Sequence, residues 1–232
     1  MRIIYRISDA GYSKVKPGYI TNENCLRNAT KVFQNSTWSV IADNISAETD
    51  DMVQKYVSRS IILYTSQGSG AQTFNLALDE ALSYDDDEIV YFIENDYLHK
   101  PGSEEVIKEG LELGASFITL YDHPDKYLDP SRGGNPYCQG GAEPTGVYLT
   151  KSTHWKITNS TTMTFAAKVK TLREVEHILR KHTTGTYPRD FDMFLELGKS
   201  NRILLSSIPG YSTHGETAWL APLTDWEKIS IL

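Results

Sequence analysis

The strongest constraint on this chain is a regular alternation of short apolar runs and amphipathic stretches through its first half. The apolar runs are nearly continuous, as in strands covered on both faces: RIIYRIS, TWSVIAD, SIILYTS, IVYFIEND and ASFITLYD. Between them, apolar residues recur at helical spacing, as in Leu26, Ala29, Val32 and Phe33. Strand and helix in alternation, with short connections, predict an α/β fold with a mostly parallel central sheet flanked by helices.

The alternation ends near Tyr121, and the rest of the chain predicts a smaller antiparallel part. We expect antiparallel strands in GVYLTKSTHWKIT and TMTFAAK, helices in TLREVEHILRKH and DFDMFLELG, and a final strand in RILLSSIPG. Thr171 and Glu174 have the spacing of a capping box at the start of the first of these helices. The length of 232 residues fits one large domain better than two.

Composition excludes several classes of protein. The net charge of -7 and the pI near 5.4 argue against a broad basic surface for nucleic acid. Cys25 and Cys138 are too few for a disulfide framework or a zinc site of their own. The N-terminal residues lack the apolar core of a signal peptide, and no apolar run approaches the ~18 residues of a membrane span. We therefore expect a soluble, cytoplasmic protein.

Acidic residues close the fourth apolar run, where the sequence continues as Glu94, Asn95 and Asp96. In an open parallel sheet, ligands bind beyond the carboxyl ends of the strands. Residues two apart on a strand share a face, so Glu94 and Asp96 are expected to point into one pocket. Two hard oxygen donors suit Mg²⁺ or Mn²⁺ bound together with substrate phosphates. The alternative is a pair of solvated acids at a strand end.

Three further features fall near the same predicted site. Asp43 closes the second run and either accepts hydrogen bonds from a base or ribose or makes an Asx turn or helix cap. SGAQTFN opens a helix directly after the third run, where backbone N–H groups can face an anion. This is not the dinucleotide fingerprint, because Thr73 stands where the third glycine would be. His214, in YSTHGE, offers an imidazole of the kind that Mn²⁺ accepts.

These motifs resemble the family-2 glycosyltransferases of the GT-A fold. That family has an acid after the second strand, a G-x-x-x-x-x-N helix start and a D-x-D-like motif closing the fourth strand. The matching segments, within residues 1–122, are VIADNIS, GAQTFNLAL and YFIEND.

The resemblance implies a single GT-A domain over residues 1–232, with a nucleotide-sugar-binding half (1–122) and an acceptor-binding and catalytic half (123–232). It further implies an inverting hexosyl- or deoxyhexosyltransferase that uses Mn²⁺ or Mg²⁺. The donor would be a UDP-sugar in the first place, or a GDP- or dTDP-sugar, and the acceptor a glycan or other hydroxyl compound.

The resemblance also implies roles for individual residues. Asp96 would be the principal metal ligand, with Glu94 and His214 as further ligands. The donor would contact Arg6, Ser8, Asp9, Lys14, Asp43, Asn44, Gly70, Asn75, Glu94 and Asn95. The segment RDFDMFLELG resembles an acidic pair that opens a helix in the family, which makes Asp190 the general base. Arg189 replaces the first acid of that pair, so Asp192 competes for the role. Gln139, Gly140 and Gly141 lie in a long Gly-rich connection, which suits an acceptor-binding loop or a lid.

Three alternatives remain open from the sequence. A sugar nucleotidyltransferase would share the sheet and the nucleotide, and it would carry a Gly-rich basic loop after the first strand. The corresponding segment, SDAGYSKVKPG, has Lys14 and Lys16 but few glycines, although Lys14 can still reach a diphosphate. END in place of D-x-D permits an inactive nucleotide-sugar-binding module. A flavodoxin-like or response-regulator domain would fit the first half only.

Overall fold

A computed structural model describes residues 1–11 and 14–232. The strands, β1 to β11 in chain order, are Arg2–Ser8, Thr37–Asp43, Ile62–Thr65, Ile89–Glu94, Tyr97–His99, Phe117–Thr119, Val147–Leu149, His154–Ile157, Phe165–Lys168, Leu204–Ile208 and Ser212–His214. The helices, α1 to α7, are Asn22–Val32, Ala47–Gln54, Gly70–Ala81, Ser103–Glu112, Val169–Lys181, Asp190–Lys199 and Trp226–Ser230. None of the described helices has the length and apolar character needed to cross a membrane.

In the described part of the chain, nine strands form one sheet in the order β3-β2-β1-β4-β9-β6-β10-β8-β7. Strands β8 and β9 run antiparallel to their neighbours, and the other seven share one direction. The predicted α/β fold with a mostly parallel sheet and a smaller antiparallel part is therefore confirmed. The pair β5 and β11 forms a separate antiparallel sheet.

Helices cover both faces of the large sheet because its strands bury side chains on both sides. On one face, Ile3 and Tyr5 of β1 belong to a buried cluster with residues of α1, α2, α4 and α7. On the other face, Ile4 of β1 packs in a cluster with residues of α3, α5 and α6. Alternate residues of one strand thus serve two cores, which explains why the predicted strands read as continuous apolar runs.

The strand order reverses at β1. The chain passes from β1 to β2 and β3 on one side, and β4 then lies on the other side of β1. Connections leaving β1 and β4 therefore diverge, and they open a crevice at the carboxyl ends of these strands. Asp9 follows β1 and Asn95 follows β4, so both lie at this opening.

Two details of the predicted elements are wrong. Helix α5 begins at Val169 after an N-cap residue, Lys168, that makes no side-chain cap hydrogen bond. The proposed capping box is wrong because β9 runs directly into the helix, which places Thr171 inside its first turn. RILLSSIPG is not the final strand either, since β11 follows it and pairs with β5.

Candidate functional site

A cavity of about 540 Å³ opens at the carboxyl ends of β1, β2 and β4. Many of the predicted site residues line it: Arg6, Ser8, Asp9, Lys14, Asp43, Gly70, Glu94, Asn95, Asp96 and Asp190. Lys16 and the Thr162–Met163 turn complete the wall at places that the sequence did not assign to the site. The cavity therefore occupies the crevice that the strand order creates.

The remaining predicted residues do not line the cavity: Asn44, Asn75, Asp192, His214, Gln139, Gly140 and Gly141. Asn75 exchanges two hydrogen bonds with Thr183 and so ties α3 to the segment after α5. Asp192 is exposed on α6. Gln139 pairs with Ala142 across a turn in which both intervening glycines have positive φ. The structure thus places the predicted acceptor residues in an exposed turn outside the cavity lining.

Asp43 organises the wall between β2 and α3. Its side chain is only 3% exposed. Its Oδ1 accepts a hydrogen bond from the backbone N–H of Gln67 at 2.6 Å, and its Oδ2 accepts one from Gly68 at 3.0 Å. Gly68 has a φ of 61°, a conformation that favours glycine. Asp43 therefore fixes the loop that leads to the start of α3 at Gly70.

Arg6 joins the two sides of the cavity floor. Its Nη2 lies 3.0 Å from Glu94 Oε1, and its Nη1 donates to the carbonyl of Gly70 at 3.1 Å. Burial raises the pKa of the Glu94 carboxyl; Arg6 opposes this effect, and the nearby Asp96 adds to it. Glu94 is thus a carboxylate of elevated basicity at the end of β4.

Asn95 closes the crevice between β1 and β4. Its Nδ2 donates to the carbonyl of Ser8 at 3.1 Å and to Asn22 Oδ1 at 2.7 Å. These bonds connect the turn after β4 to the end of β1 and to the first residue of α1. The Asn95 amide therefore links the ends of the two strands that border the crevice.

Asp190, the first residue of α6, accepts four hydrogen bonds from one short turn. Its Oδ2 accepts from the N–H groups of Thr161 (2.7 Å) and Thr162 (3.0 Å). Its Oδ1 accepts from the Thr161 hydroxyl (2.6 Å) and from Met163 N–H (3.1 Å). Thr162 and Met163 have φ values of 50° and 54°, which non-glycine residues rarely adopt. Asp190 therefore holds a strained turn in place, and its acceptor sites are in use.

Asp96 lies beside three nitrogen groups and is 6% exposed. Its Oδ2 is 3.1 Å from Lys16 Nζ, 3.6 Å from Lys14 Nζ and 3.4 Å from His214 Nε2. Burial acts to raise the pKa of Asp96, but His214 and the two lysines outweigh it and hold that pKa well below its ordinary value. Asp96 is therefore ionised and paired with positive charge.

The position of His214 comes from the small second sheet, where it pairs with Tyr97 of β5. The next residue, Gly215, packs directly on Asp96. A Cβ atom there would lie 2.8 Å from the Asp96 carbonyl oxygen and 2.4 Å from Ile20 Cγ2. Only glycine allows this approach. The preceding residue, His214, thereby lies close to the Asp96 carboxylate.

A divalent cation does not fit this donor set. Lys14 Nζ lies 2.8 Å from His214 Nε2, so the nitrogen that would bind a metal already has a partner. Asp96 Oδ2 faces both lysines, and Glu94 Oε1 faces Arg6. Asp96 Oδ1 is buried without a hydrogen-bond partner, but it is one oxygen only. Across residues 1–11 and 14–232, no group of three or more His, Cys, Asp or Glu side chains is placed to hold a metal ion.

Lys16 is the most important residue that sequence reasoning did not assign to the site. A signal was present, since Lys14 and Lys16 are two residues apart and so can share one side of an extended segment. The Thr161–Met163 turn carried no such signal. Its ordinary composition does not reveal the contact with Asp190.

No protein-family model and no curated protein matches the sequence. Several solved structures match in fold. A CMP:2-keto-3-deoxy-manno-octonic acid synthetase complexed with CTP is 12% identical, with 93% of each chain covered and a TM-score of 0.47. The galactosyltransferase LgtC, in complex with donor and acceptor sugar analogs, is 10% identical, with 89% of this chain and 73% of that chain covered and a TM-score of 0.46. A protein from STIV is 14% identical, with 89% and 81% covered and a TM-score of 0.44. At these identities the similarity concerns the fold alone.

Proposed function

We propose that the cavity binds a nucleotide-diphosphate sugar and that the chain transfers the sugar to a hydroxyl acceptor. The position of the cavity carries this proposal, because it lies where the strand order reverses between β1 and β4. Open parallel sheets bind nucleotides at such points. The volume of about 540 Å³ lies within the usual range for small-molecule sites.

The basic residues of the lining support an anionic ligand, although the described lining holds five acids and three basic residues. Lys14 and Lys16 face the cavity from the connection after β1, and α3 begins at Gly70 on the cavity wall. Ammonium groups attract negative charge, and the positive end of the helix dipole at the start of α3 adds to this effect. The backbone N–H groups of Ala71 and Gln72 are already bonded to Thr186 and Ser69, so the sequence expectation that they face an anion is wrong. The carboxylates of Asp43 and Asp190 are each engaged by backbone N–H groups, which reduces their repulsion of a phosphate.

In the proposed reaction, the acceptor oxygen forms a bond to the anomeric carbon while the bond from that carbon to the diphosphate oxygen breaks. The nucleoside diphosphate leaves with the electron pair, and a carboxylate takes the hydroxyl proton. Asp190 was predicted for this role and lines the cavity, but it must exchange one of its four hydrogen bonds to act. Glu94 also lines the cavity and has a raised pKa, so we propose it as the competing base.

A sugar nucleotidyltransferase is the second candidate. It is favoured by the position of Lys14 and Lys16, which face the cavity from the connection after β1, where that class carries its basic loop. In that reaction, a sugar 1-phosphate oxygen attacks the α-phosphorus of a nucleoside triphosphate, and pyrophosphate leaves. Both candidates need a cavity that accepts a nucleotide with at least two phosphates.

A ligand screen tests the proposal and separates the two candidates. Ligands that bind only the native state raise the melting temperature (Tm). We expect UDP-, GDP- or dTDP-sugars to raise Tm, and an acceptor hydroxyl to cause release of the nucleoside diphosphate. If a nucleoside triphosphate with a sugar 1-phosphate instead yields pyrophosphate, the second candidate is correct. If neither class of ligand changes Tm of the folded protein, both are wrong.

A further inference from the structure

We propose that Lys14 and Lys16 take the place of a divalent cation, so that a nucleoside diphosphate binds this chain without metal. The inference rests on the proposed function and names how that site neutralises the diphosphate. The metal that the family resemblance implies does not fit the residues that surround Asp96.

The lysines occupy the space that a metal bound to Asp96 and His214 would need. Lys14 Nζ is 2.8 Å from His214 Nε2 and 3.6 Å from Asp96 Oδ2. Lys16 Nζ is 3.1 Å from the same Oδ2 atom. A metal in this position would stand next to two ammonium groups, and their charges would repel it. The arrangement therefore supplies positive charge at Asp96 without an ion.

Lys14, Lys16 and Asp96 together carry a net positive charge, as binding of a diphosphate requires. The two ammonium groups carry the same total charge as one divalent cation, and Asp96 cancels half of it. An ammonium has three N–H donors, and Asp96 engages one from Lys16. The Lys16 side chain is 34% exposed and lines the cavity, so a phosphate can reach it. The net positive charge is then available to the β-phosphate as it becomes the leaving group.

Asp96 acts as the anchor that holds this charge in position. It is buried, its backbone packs against Gly215, and its ion pairs restrain two otherwise flexible side chains. Restraining lysines before the ligand arrives lowers the entropic cost of binding. The predicted metal ligand is thus assigned a new role, as the residue that positions two lysines.

Isothermal titration calorimetry with UDP, GDP and dTDP tests the inference. Each titration is carried out in EDTA and again in Mn²⁺, with the corresponding nucleoside as a ligand that lacks phosphate. We expect at least one diphosphate to bind in EDTA. Lys16→Met should weaken that binding about tenfold or more, as loss of a charge-assisted contact implies. The nucleoside should bind the wild type and Lys16→Met equally.

Two variants serve as controls. Lys16→Arg keeps the positive charge and should retain most of the affinity. Lys170→Met removes an exposed lysine of α5 and should leave diphosphate binding unchanged. Lys16→Met should fold, because Lys14 and His214 still face Asp96, and circular dichroism checks this.

The outcomes distinguish the inference from the proposed function. Diphosphate binding that requires Mn²⁺ and tolerates Lys16→Met overturns the lysine proposal but leaves the nucleotide site in place. Equal binding in EDTA by the wild type and Lys16→Met also overturns it. If no nucleoside diphosphate binds the folded wild type with or without Mn²⁺, the proposed function fails and the inference falls with it.

Discussion

Asp190 holds Thr161 by two contacts, from the backbone nitrogen at 2.7 Å and from the hydroxyl at 2.6 Å. The two residues are far apart in the sequence, and their contact fixes a turn that lines the cavity. Through this pair, the start of α6 stabilises the segment that leads into β9. The carboxylate predicted to take a proton is thus also a structural support.

We expect Asp190→Ala to lower the free energy of unfolding by about 2 to 4 kcal/mol, because charge-assisted hydrogen bonds in a strained turn are lost. Urea unfolding followed by circular dichroism measures this change. The matched control is Asp192→Asn, which removes an exposed charge from the same helical turn and should cost less than about 1 kcal/mol. A variant of Asp190 with wild-type stability and no transferase activity would favour the predicted role as a base.

Gly110 allows α4 to pack closely on the sheet. A Cβ atom there would lie 2.6 Å from Ile118 Cδ1 and 2.8 Å from Trp155 Cη2. Both neighbours are buried, so Gly110→Ala should lower the free energy of unfolding by about 1 to 3 kcal/mol despite the better helix propensity of alanine. Thermal and urea unfolding measure the change.

Gly198→Ala provides the opposite control on α6. Nothing lies within 4 Å of a Cβ at that position, so the gain in helix propensity should stabilise the protein by up to about 1 kcal/mol. If both substitutions shift stability in the same direction, close packing is not the reason for glycine at position 110.

His99 is buried beside Tyr91, whose hydroxyl lies 2.8 Å from His99 Nε2. Burial lowers the pKa of His99 to about 3. In the unfolded chain, the His99 imidazole takes up a proton near its ordinary pKa of about 6.5. Below that pH the unfolded state therefore binds more protons than the native state. The contribution of neutral His99 is present above pH 6.5 and is lost as pH falls toward 3.

We expect His99 to add a slope of up to about 1.4 kcal/mol per pH unit to the free energy of unfolding in that window. Urea unfolding of the wild type and His99→Gln, over a pH series, isolates this slope as the difference between the two curves. His177→Gln, at an exposed position of α5, is the control and should follow the wild type. A proton NMR titration of His99 with a midpoint near 6.5 would contradict the prediction.

Lys156 holds both ends of the long connection between β6 and β7 by ion pairs. Its Nζ lies 3.0 Å from Asp122 Oδ1 and 3.1 Å from Glu143 Oε1, and all three side chains are buried. It also lies over the Tyr127 ring. The predicted lid-like loop is therefore attached to the sheet through β8, and its two ends are held by one cation.

Lys156→Met should cost about 3 to 5 kcal/mol, because it leaves two buried carboxylates without their partner. Residues 124–146 should also become sensitive to limited proteolysis in this variant, since the removed contact joins both ends of the loop. Lys151→Met, at an exposed position of the same hairpin, should change neither property. A loop that stays protected in Lys156→Met would show that other contacts hold it.

The amino-acid sequence predicts most of the strands and helices, and the edge of the sheet at which the acids lie. The apolar runs predicted β1 to β4 and β6. Two of these runs end in acids, Asp43 and Glu94, and both acids line the cavity. These features depend on local periodicity and on the geometry of parallel strands, which a sequence records directly.

Which groups face each other within that cavity depends instead on contacts between distant segments of the chain. β9 lies between β4 and β6, β11 pairs with β5, and these placements bring His214 to Asp96 and Asp190 to Thr161. Such contacts join residues far apart in the chain through strand pairing that no local pattern encodes. For this reason the acids were predicted as a metal site from the sequence, while the fold surrounds Asp96 with two lysines.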